Sequence, residues 1–328
     1  MTTPTSLTDA AATRTVRVGT RASALATTQS RWVADQVATH LGLAVELVEI
    51  TTDGDRSQAA GTPLAGSSAT GVFVGAVRHA LLEGRVDVAV HSLKDLPTAP
   101  AEGLVLAAVP QREDPRDVVV ARDGLTLGEL PVGSVVGTGS PRRAAQIHAL
   151  GLGLDVVGLR GNVDTRIGRV TSGDLDAVVL ARAGLARLGR LDEATEVLDP
   201  IQVLPAPGQG ALAVECRADD PLAAAIAEAV DDPATRAAVA AERAVLATLE
   251  GGCSAPIGAL AELVEGEDGE EIWVRAVALS TDGELSVRLS ASGPATDAAG
   301  VGVRLAEEML AEGADRLDDP PDRPPPTT

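Results

Sequence analysis

The chain has 328 residues, of which 45% are hydrophobic and 23% are charged, a balance that excludes wholesale disorder. No apolar stretch reaches the ~18 residues that a membrane-spanning helix needs, and the formal net charge of −20 argues against general nucleic-acid binding. Two cysteines do not form a disulfide framework, and the first residues lack the pattern of a secretory signal. We therefore expect a cytoplasmic monomer with neither a nucleic-acid nor a membrane partner.

Short apolar strands alternate with helical segments through the first two thirds of the chain. Strands are predicted at 16–20, 45–50, 87–93, 104–110, 134–140, 154–161, 176–181 and 211–216. Helices are predicted from Ser23 to about His40, over 73–84, from Pro141 and from Asn162. The Gly- and Ser-rich segment 54–71 is expected to be a mobile loop. The alternation predicts an α/β fold with mainly parallel sheets and helices on both faces.

Two crossings, at 111–121 and 199–210, divide this α/β part into two lobes that would enclose a hinged cleft. After residue 233 a helix leads to Cys253, and an antiparallel pair of strands and a helix over 298–313 follow, which predicts a small α+β domain. The acidic stretch 265–271 is expected to be a solvated loop. The expected division is a tail at 1–13, domain 1 at 14–112 and 209–230, domain 2 at 113–208, domain 3 at 231–315 and a tail at 316–328.

Basic charge is concentrated in the middle of the chain. Residues 191–328 contain 8 basic and 28 acidic residues, whereas residues 138–190 contain eight Arg and four acidic residues. In GTGSPRRAAQ, Ser140 suits a helix N-cap, and Arg142 and Arg143 follow on the first turn. Free backbone N–H groups at a helix start and two guanidiniums favour a carboxylate or phosphate.

The same arrangement occurs twice more. In LRGNVDTRIGRV, Arg160 ends a strand, Asn162 can cap a helix and Arg166 lies on its first turns, and in GTRAS Arg21 follows another strand. Surface arginines are the commoner reading of any single instance, but three strand-end instances favour a site for a polycarboxylate or phosphate. The turns match neither a Walker loop nor a dinucleotide fingerprint.

Three further residues are candidates for chemistry. Lys94 is the single lysine beside 26 arginines, and the neighbouring Asp95 stays ionised among cations, so the pair is either a proton-shuttling and charge-stabilising group or a structural ion pair. Cys253 lies in a Gly-rich loop, where a thiolate is a nucleophile or a covalent tether. Cys216 lies on an apolar strand and is expected to be a packed thiol. The four histidines lack metal-ligand spacing, so we assign no metal.

Seven motifs follow one another over residues 14–315: GTRASALATTQ, DVAVHSLKDLPT, REDPRDV, GTGSPRRAAQ, LRGNVDTR, LPAPGQGALAVECR and EGGCSAPIGA. With these motifs in this order, the sequence resembles the porphobilinogen deaminase family, also called the hydroxymethylbilane synthase family. The resemblance implies two lobes like those of periplasmic binding proteins and a third domain. It also implies synthesis of hydroxymethylbilane from four porphobilinogen units with release of ammonia, on a dipyrromethane cofactor held by a cysteine thioether.

The resemblance further implies roles for individual residues. Cys253 would attach the cofactor, and Asp95 would be the catalytic carboxylate that stabilises a cationic azafulvene-like species. Cofactor contacts are implied for Lys94, Asp95, Ser140, Arg142, Arg143 and Arg166. Substrate contacts are implied for Arg21, Ser23, Gln29, Arg160, Asn162, Arg166, Gln209 and Gly210.

The sequence departs from the family pattern at two points and leaves other functions open. The stretch SSATGVF has no lysine where a GGKG-like loop is common, and GTGSP stands in place of GTSSL. A non-catalytic cytosolic anion-binding protein on the same scaffold would use the arginines without needing Asp95 or Cys253. A transferase acting on phosphorylated substrates would need a metal or a phosphate loop, and neither is visible in the sequence.

Overall fold

The computed structural model describes residues 15–51, 69–250, 256–266 and 269–318. Its strands are β1 (Val16–Thr20), β2 (Val45–Glu49), β3 (Val88–Ser92), β4 (Leu104–Ala108), β5 (Asp117–Ala121), β6 (Val135–Thr138), β7 (Asp155–Gly158), β8 (Ala177–Ala181), β9 (Glu196–Val197), β10 (Leu212–Arg217), β11 (Ile257–Gly266), β12 (Gly269–Leu279) and β13 (Ser286–Pro294). Its α-helices are α1 (Ala24–Leu41), α2 (Ala69–Leu82), α3 (Pro141–Ala149), α4 (Val163–Thr171), α5 (Arg182–Arg187), α6 (Leu222–Val230), α7 (Pro233–Glu250) and α8 (Ala298–Ala311).

The chain forms two compact units. The first contains the chain up to Arg112 together with Ala211–Thr235, and the second contains Glu113–Gly210 and the chain from Arg236 onward. The return of the chain to the first unit at the predicted strand 211–216 is therefore observed. The finer division of the second unit into separate domains at 113–208 and 231–315 stays a prediction.

The first unit is built on a five-stranded sheet in the order β2-β1-β3-β10-β4. β1 pairs in parallel with β2 and β3, whereas β10 runs antiparallel to β3 and β4, so the sheet is mixed rather than mainly parallel. The antiparallel strand is the one that returns from the second unit. Helix α1 begins where the Ser23 side chain accepts a hydrogen bond from the Ala26 backbone nitrogen at 3.4 Å, and it ends at Gly42, whose φ of 66° suits glycine.

The second unit contains a five-stranded sheet in the order β7-β6-β8-β5-β9. β6 pairs in parallel with β7 and β8, and β5 pairs antiparallel with β8 and β9. Strand β5 lies in the segment 111–121, which was expected only as a crossing, so that expectation needs correction. Its residues after Asp117 are apolar and all of them are buried, as is usual for a strand covered on both faces. Asn162 caps α4 as predicted, since its side chain accepts a hydrogen bond from the Thr165 nitrogen at 2.8 Å.

The second unit also contains an antiparallel sheet in the order β11-β12-β13. One face of this sheet packs against α7 and α8, and its core includes Ile272, Leu305 and Met309, all fully buried. The pairing of β12 with β13 confirms the predicted antiparallel pair, and the two mixed α/β sheets with this small α+β part confirm the predicted fold class.

Two sequence predictions in this region need correction. Strand β11 was not predicted, and it runs to Gly266 while β12 begins at Gly269, so most of the acidic stretch expected to be a loop lies in strands. The physical reason is the continuous antiparallel pairing of β11 with β12. This pairing runs along Ile257–Val264 and continues into the acidic stretch, where Glu265 pairs with Glu270. Leu317, in the segment expected to be a tail, is buried in the same core. The expected loop 54–71 and both outer tails lie almost entirely outside the described residues.

Candidate functional site

The first unit brings two predicted groups to one edge of its sheet. β1 and β3 are parallel neighbours, with Val18 paired to Val88, so their carboxyl ends lie at the same edge. Arg21 follows β1, and a 3₁₀ turn, Leu93–Asp95, follows β3. The structure therefore places the Arg21 and Ser23 loop beside the turn that carries Lys94 and Asp95.

The turn after β3 is held by backbone and side-chain hydrogen bonds. The Leu93 nitrogen donates to the Ala211 carbonyl oxygen at 3.0 Å. Buried Gln29 of α1 donates from Nε2 to the Ser92 hydroxyl at 3.1 Å, which joins the helix to the end of the strand. Gln29, predicted as a substrate contact, thus has a structural partner, while the Asp95 side chain is only partly buried.

A buried ionic network lies on the sheet just before this turn. Glu215 of β10 accepts two hydrogen bonds from Arg78, at 2.9 and 2.8 Å, and lies 3.3 Å from Nε2 of His91 on β3. Burial opposes ionisation, but the His91 and Arg78 interactions dominate and lower the pKa of Glu215 to about 2. The carboxylate therefore stays ionised at neutral pH and joins α2 to β10, next to the strand β3 that leads into the Leu93–Asp95 turn.

The second unit buries a carboxylate between the two adjacent arginines of α3. Asp117 is fully buried; its Oδ2 accepts from Nη2 of Arg142 and its Oδ1 accepts from Nη2 of Arg143, each at 2.7 Å. Burial works against ionisation, but the two guanidiniums outweigh it and hold the pKa of Asp117 well below its usual range. Burial also lowers the pKa of Arg142, and the neighbouring Asp117 partly offsets this effect.

Arg142 and Arg143 therefore do not lie on an exposed helix surface, which is the commoner location of single arginines and the alternative that the sequence analysis weighed. Each is only 5% exposed, and they also donate to the carbonyl oxygens of Leu204 and Val179. The Nε atoms of both arginines are buried and have no hydrogen-bond partner within the described residues. Donors of this kind can be satisfied by an anionic group that binds from outside the chain.

The loop before β10 joins this cluster. Nε2 of Gln209 donates to Oδ1 of Asp117 at 2.7 Å, and Nη2 of Arg143 lies 3.4 Å from the Gln209 amide oxygen. Arg187 of α5 donates to the Gly210 carbonyl oxygen at 2.6 Å. Gly210 has a φ of 87°, and a Cβ there would overlap the Glu113 carbonyl oxygen, so glycine is required.

The predicted anion-binding turn in LRGNVDTRIGRV, between β7 and α4, lies next to the turn that begins α3. β6 and β7 are parallel neighbours, and a Cβ at Gly139 would overlap the Leu159 carbonyl oxygen, so the glycine in GTGSP permits this close approach. Nε of Arg166 donates to the Gly161 carbonyl oxygen at 2.8 Å. Burial first, and then the positive charge of Arg143, lower the pKa of Arg166, which places the two guanidiniums in one electrostatic environment.

The structure groups the predicted residues by unit. The first unit holds Arg21, Ser23, Gln29, Lys94 and Asp95, and the second holds Ser140, Arg142, Arg143, Arg160, Asn162, Arg166, Gln209 and Gly210. Cys253 lies outside the described residues. Asp117 and Arg187 were missed by the sequence reasoning; an acid that opens an otherwise apolar strand is the signal that could have identified Asp117.

The second cysteine can be assigned from its surroundings. Cys216 on β10 is fully buried, and burial raises the pKa of its thiol to about 12. A thiol with that pKa is not a nucleophile at neutral pH. Within the residues that the structure describes, no cluster of His, Cys, Asp or Glu could hold a metal ion, and no helix is long and apolar enough to cross a membrane.

Comparison with known proteins adds independent findings. Residues 16–225 match the family model described as "Porphobilinogen deaminase, dipyromethane cofactor binding domain", and residues 236–311 match "Porphobilinogen deaminase, C-terminal domain". The chain is 58% identical over 307 residues to the porphobilinogen deaminase of Mycobacterium tuberculosis, covering 92% of this chain and 98% of that protein. The enzyme of Mycobacterium marinum is 57% identical, with 92% and 96% covered. A periplasmic substrate-binding protein of an ABC transporter from Coxiella burnetii is 16% identical, covers 70% of this chain and 96% of its own, and has a TM-score of 0.43.

Proposed function

This chain belongs to the porphobilinogen deaminase family, and from that premise we propose which of its residues carry the reaction. The activity is hydroxymethylbilane synthesis: a transferase condenses porphobilinogen units on a dipyrromethane cofactor and releases ammonia. A non-catalytic anion-binding protein, which the arginines alone would allow, accounts less well for a match that extends over both family domains.

One observation supports the residue assignment above all others. Arg142 and Arg143 both pair with Asp117, and the positive charge of Arg143 acts on Arg166; among the residues that the structure describes, Asp117 is the only carboxylate paired with these three arginines. One negative charge against three guanidiniums leaves a local positive charge. Each pyrrole brings two carboxylates, so a growing chain needs such an excess.

The same residues fit the carboxylates of the cofactor. The buried Nε atoms of Arg142 and Arg143, which have no hydrogen-bond partner in the described part of the chain, provide donors for an anion. Ser140 and Lys94 are the other residues that we propose hold it. When attached through Cys253, the dipyrromethane supplies a fixed primer for condensation. We prefer Cys253 because Cys216 is buried and its pKa is about 12.

The remaining residues are assigned by their place at the sheet edges. Asp95 ends the turn after β3 and remains partly accessible, so we propose that its carboxylate stabilises positive charge that develops on the substrate. Substrate carboxylates are proposed to meet the residues Arg21, Ser23, Gln29, Arg160, Asn162, Arg166, Gln209 and Gly210.

The test of this function combines a mass measurement with an assay. Protein purified from a host that makes porphobilinogen is expected to have an intact mass above that of the polypeptide by one dipyrromethane, and to release ammonia from porphobilinogen. A bare polypeptide mass together with no ammonia release would contradict the proposal and favour the anion-binding alternative.

Loss of an arginine is expected to weaken the binding of carboxylate-bearing pyrroles. Arg143→Leu and Arg166→Leu each remove a charge-assisted hydrogen bond worth about 1.5–3 kcal/mol, so we expect roughly tenfold or greater losses in kcat/KM. Steady-state kinetics with porphobilinogen measures the effect, and Arg166→Leu is the cleaner variant because Arg143 also pairs with Asp117. Arg169→Leu is the matched control on α4, since Arg169 forms an exposed pair with Asp174. If both site variants equal that control, the polycarboxylate assignment is wrong.

We also propose that the protein works as a cytoplasmic monomer. A free, buried cysteine and the absence of a disulfide framework suit a reducing compartment. Light scattering on the eluting protein measures the oligomeric state, and cell fractionation measures the location; a dimer mass or a membrane-bound fraction would contradict this part.

A further inference from the structure

Helix α3, which carries Arg142 and Arg143, is packed from behind by the C-terminal sheet of the same unit. Ala145 lies in a buried apolar cluster with Leu260 of β11 and with Val277 and Leu279 of β12. Arg142 pairs with Asp117 one helical turn before Ala145, so the contact with the C-terminal sheet lies directly next to the ion pairs.

The turn between β12 and β13 lies directly against the backbone of α3. Gly283 has a φ of 77°, and a Cβ on it would overlap the Ala145 carbonyl oxygen and lie 3.0 Å from the Ala149 nitrogen. Glycine is thus required twice, for the backbone conformation and for the contact with the helix. The turn itself is well braced, because fully buried Ser280 donates to Asp282 at 2.6 Å and accepts from the Leu285 nitrogen at 2.9 Å.

A second contact fixes the same helix on another side. Gln146, which is 1% exposed, donates from Nε2 to the Leu204 carbonyl oxygen at 2.9 Å and accepts from the Leu204 nitrogen at 2.7 Å. Arg142 donates to the same carbonyl oxygen. With the backbone held at Leu204 and at Gly283, α3 has little freedom to slide or rotate against Asp117.

We propose that the Ser280–Leu285 turn is a positioning element for the reaction: through the contact of Gly283 with the Ala145 carbonyl, the C-terminal sheet sets where α3 presents Arg142 and Arg143. The inference rests on the proposed role of these arginines in holding cofactor carboxylates. Gly283 touches neither cofactor nor substrate in this account and acts only through the helix.

A methyl group at Gly283 tests the proposal. Gly283→Ala forces the turn and α3 apart by about 1 Å before an ordinary van der Waals contact is reached. Misplacement of that size far from the reacting atoms can cost about 10²-fold in rate, so we expect a fall in kcat of that order. KM for free porphobilinogen should change less, because the primer on the displaced arginines is covalently attached.

The matched control is Gly173→Ala. Gly173 has a φ of 79° and open space around its Cβ position, so the substitution introduces the same backbone strain with no collision. We expect Gly283→Ala to have a lower dipyrromethane content by intact mass than the control, and faster hydrogen–deuterium exchange in α3 amides. A kcat within tenfold of the Gly173→Ala value, with equal cofactor content and equal α3 exchange, would overturn the inference.

Two further variants allow the proposal to be tested if Gly283→Ala does not fold, and distinguish it from the proposed role of the arginines. Gln146→Met removes both hydrogen bonds to Leu204 without adding bulk, so it should also show faster α3 exchange and a lower kcat. It replaces Gly283→Ala if that variant does not fold. In that case, wild-type exchange and wild-type kcat in Gln146→Met would overturn the inference. Arg143→Leu separates the two proposals. If it retains full activity and cofactor content, the proposed arginine role fails; if it is impaired while Gly283→Ala matches its control, only the positioning inference fails.

Discussion

Cys253→Ser is expected to abolish covalent attachment of dipyrromethane and, with it, hydroxymethylbilane synthesis. A serine hydroxyl is far less acidic than a thiol and is a poor nucleophile at neutral pH, so no thioether equivalent forms. Intact mass of the purified variant should equal that of the polypeptide, and ammonia release from porphobilinogen should fall to background.

Cys216→Ser is the matched control for this experiment. Cys216 lies in the core of the first unit, with Val18 and Val214 in the same cluster, so its replacement should lower the melting temperature while cofactor and activity remain. Covalent dipyrromethane on the Cys253 variant, or its loss from the Cys216 variant, would show that attachment has been assigned to the wrong cysteine.

Asp95→Asn is expected to slow each condensation by about 10²–10³-fold, the usual cost of removing one well-placed electrostatic group. The substitution keeps the shape of the side chain and removes its charge, so cofactor assembly should remain largely possible. Asp95→Glu keeps the charge but moves it by one methylene, and it should retain more activity than the Asn variant. Single-turnover ammonia release from cofactor-loaded protein measures the chemical step directly.

Thermal melts separate this catalytic role from a structural one. The Asp95 side chain is partly exposed, and backbone hydrogen bonds of Leu93 and Leu96 support the turn that carries it, so both variants should melt close to the wild type. Near-wild-type turnover by the Asn variant, or a lowered melting temperature that tracks the activity loss, would leave Asp95 as a structural partner.

The sequence by itself determined the elements whose signals are local. Capping by Ser23 and Asn162 and the apolar run of β8 depend on interactions within a few residues or on simple burial. The family motifs then identified the activity and grouped the candidate residues at strand ends, where parallel strands bring their loops to one edge.

Only the tertiary structure decided how these groups are paired. The arginines of GTGSPRRAAQ lie 25 and 26 positions from Asp117, and no local pattern indicates that one carboxylate is buried between them. Strand β11 and the acidic end of the β11–β12 hairpin were missed for a related reason: a cross-strand ladder outweighs local acidic composition, and the partner strand is not visible in a local window. The contact of Gly283 with α3 joins residues more than 130 positions apart, so it exists only because two sheets pack around one helix. Periodicity and capping are short-range effects that the sequence carries directly, whereas the pairing of buried charges and the close approach of backbones depend on which distant segments the fold brings together.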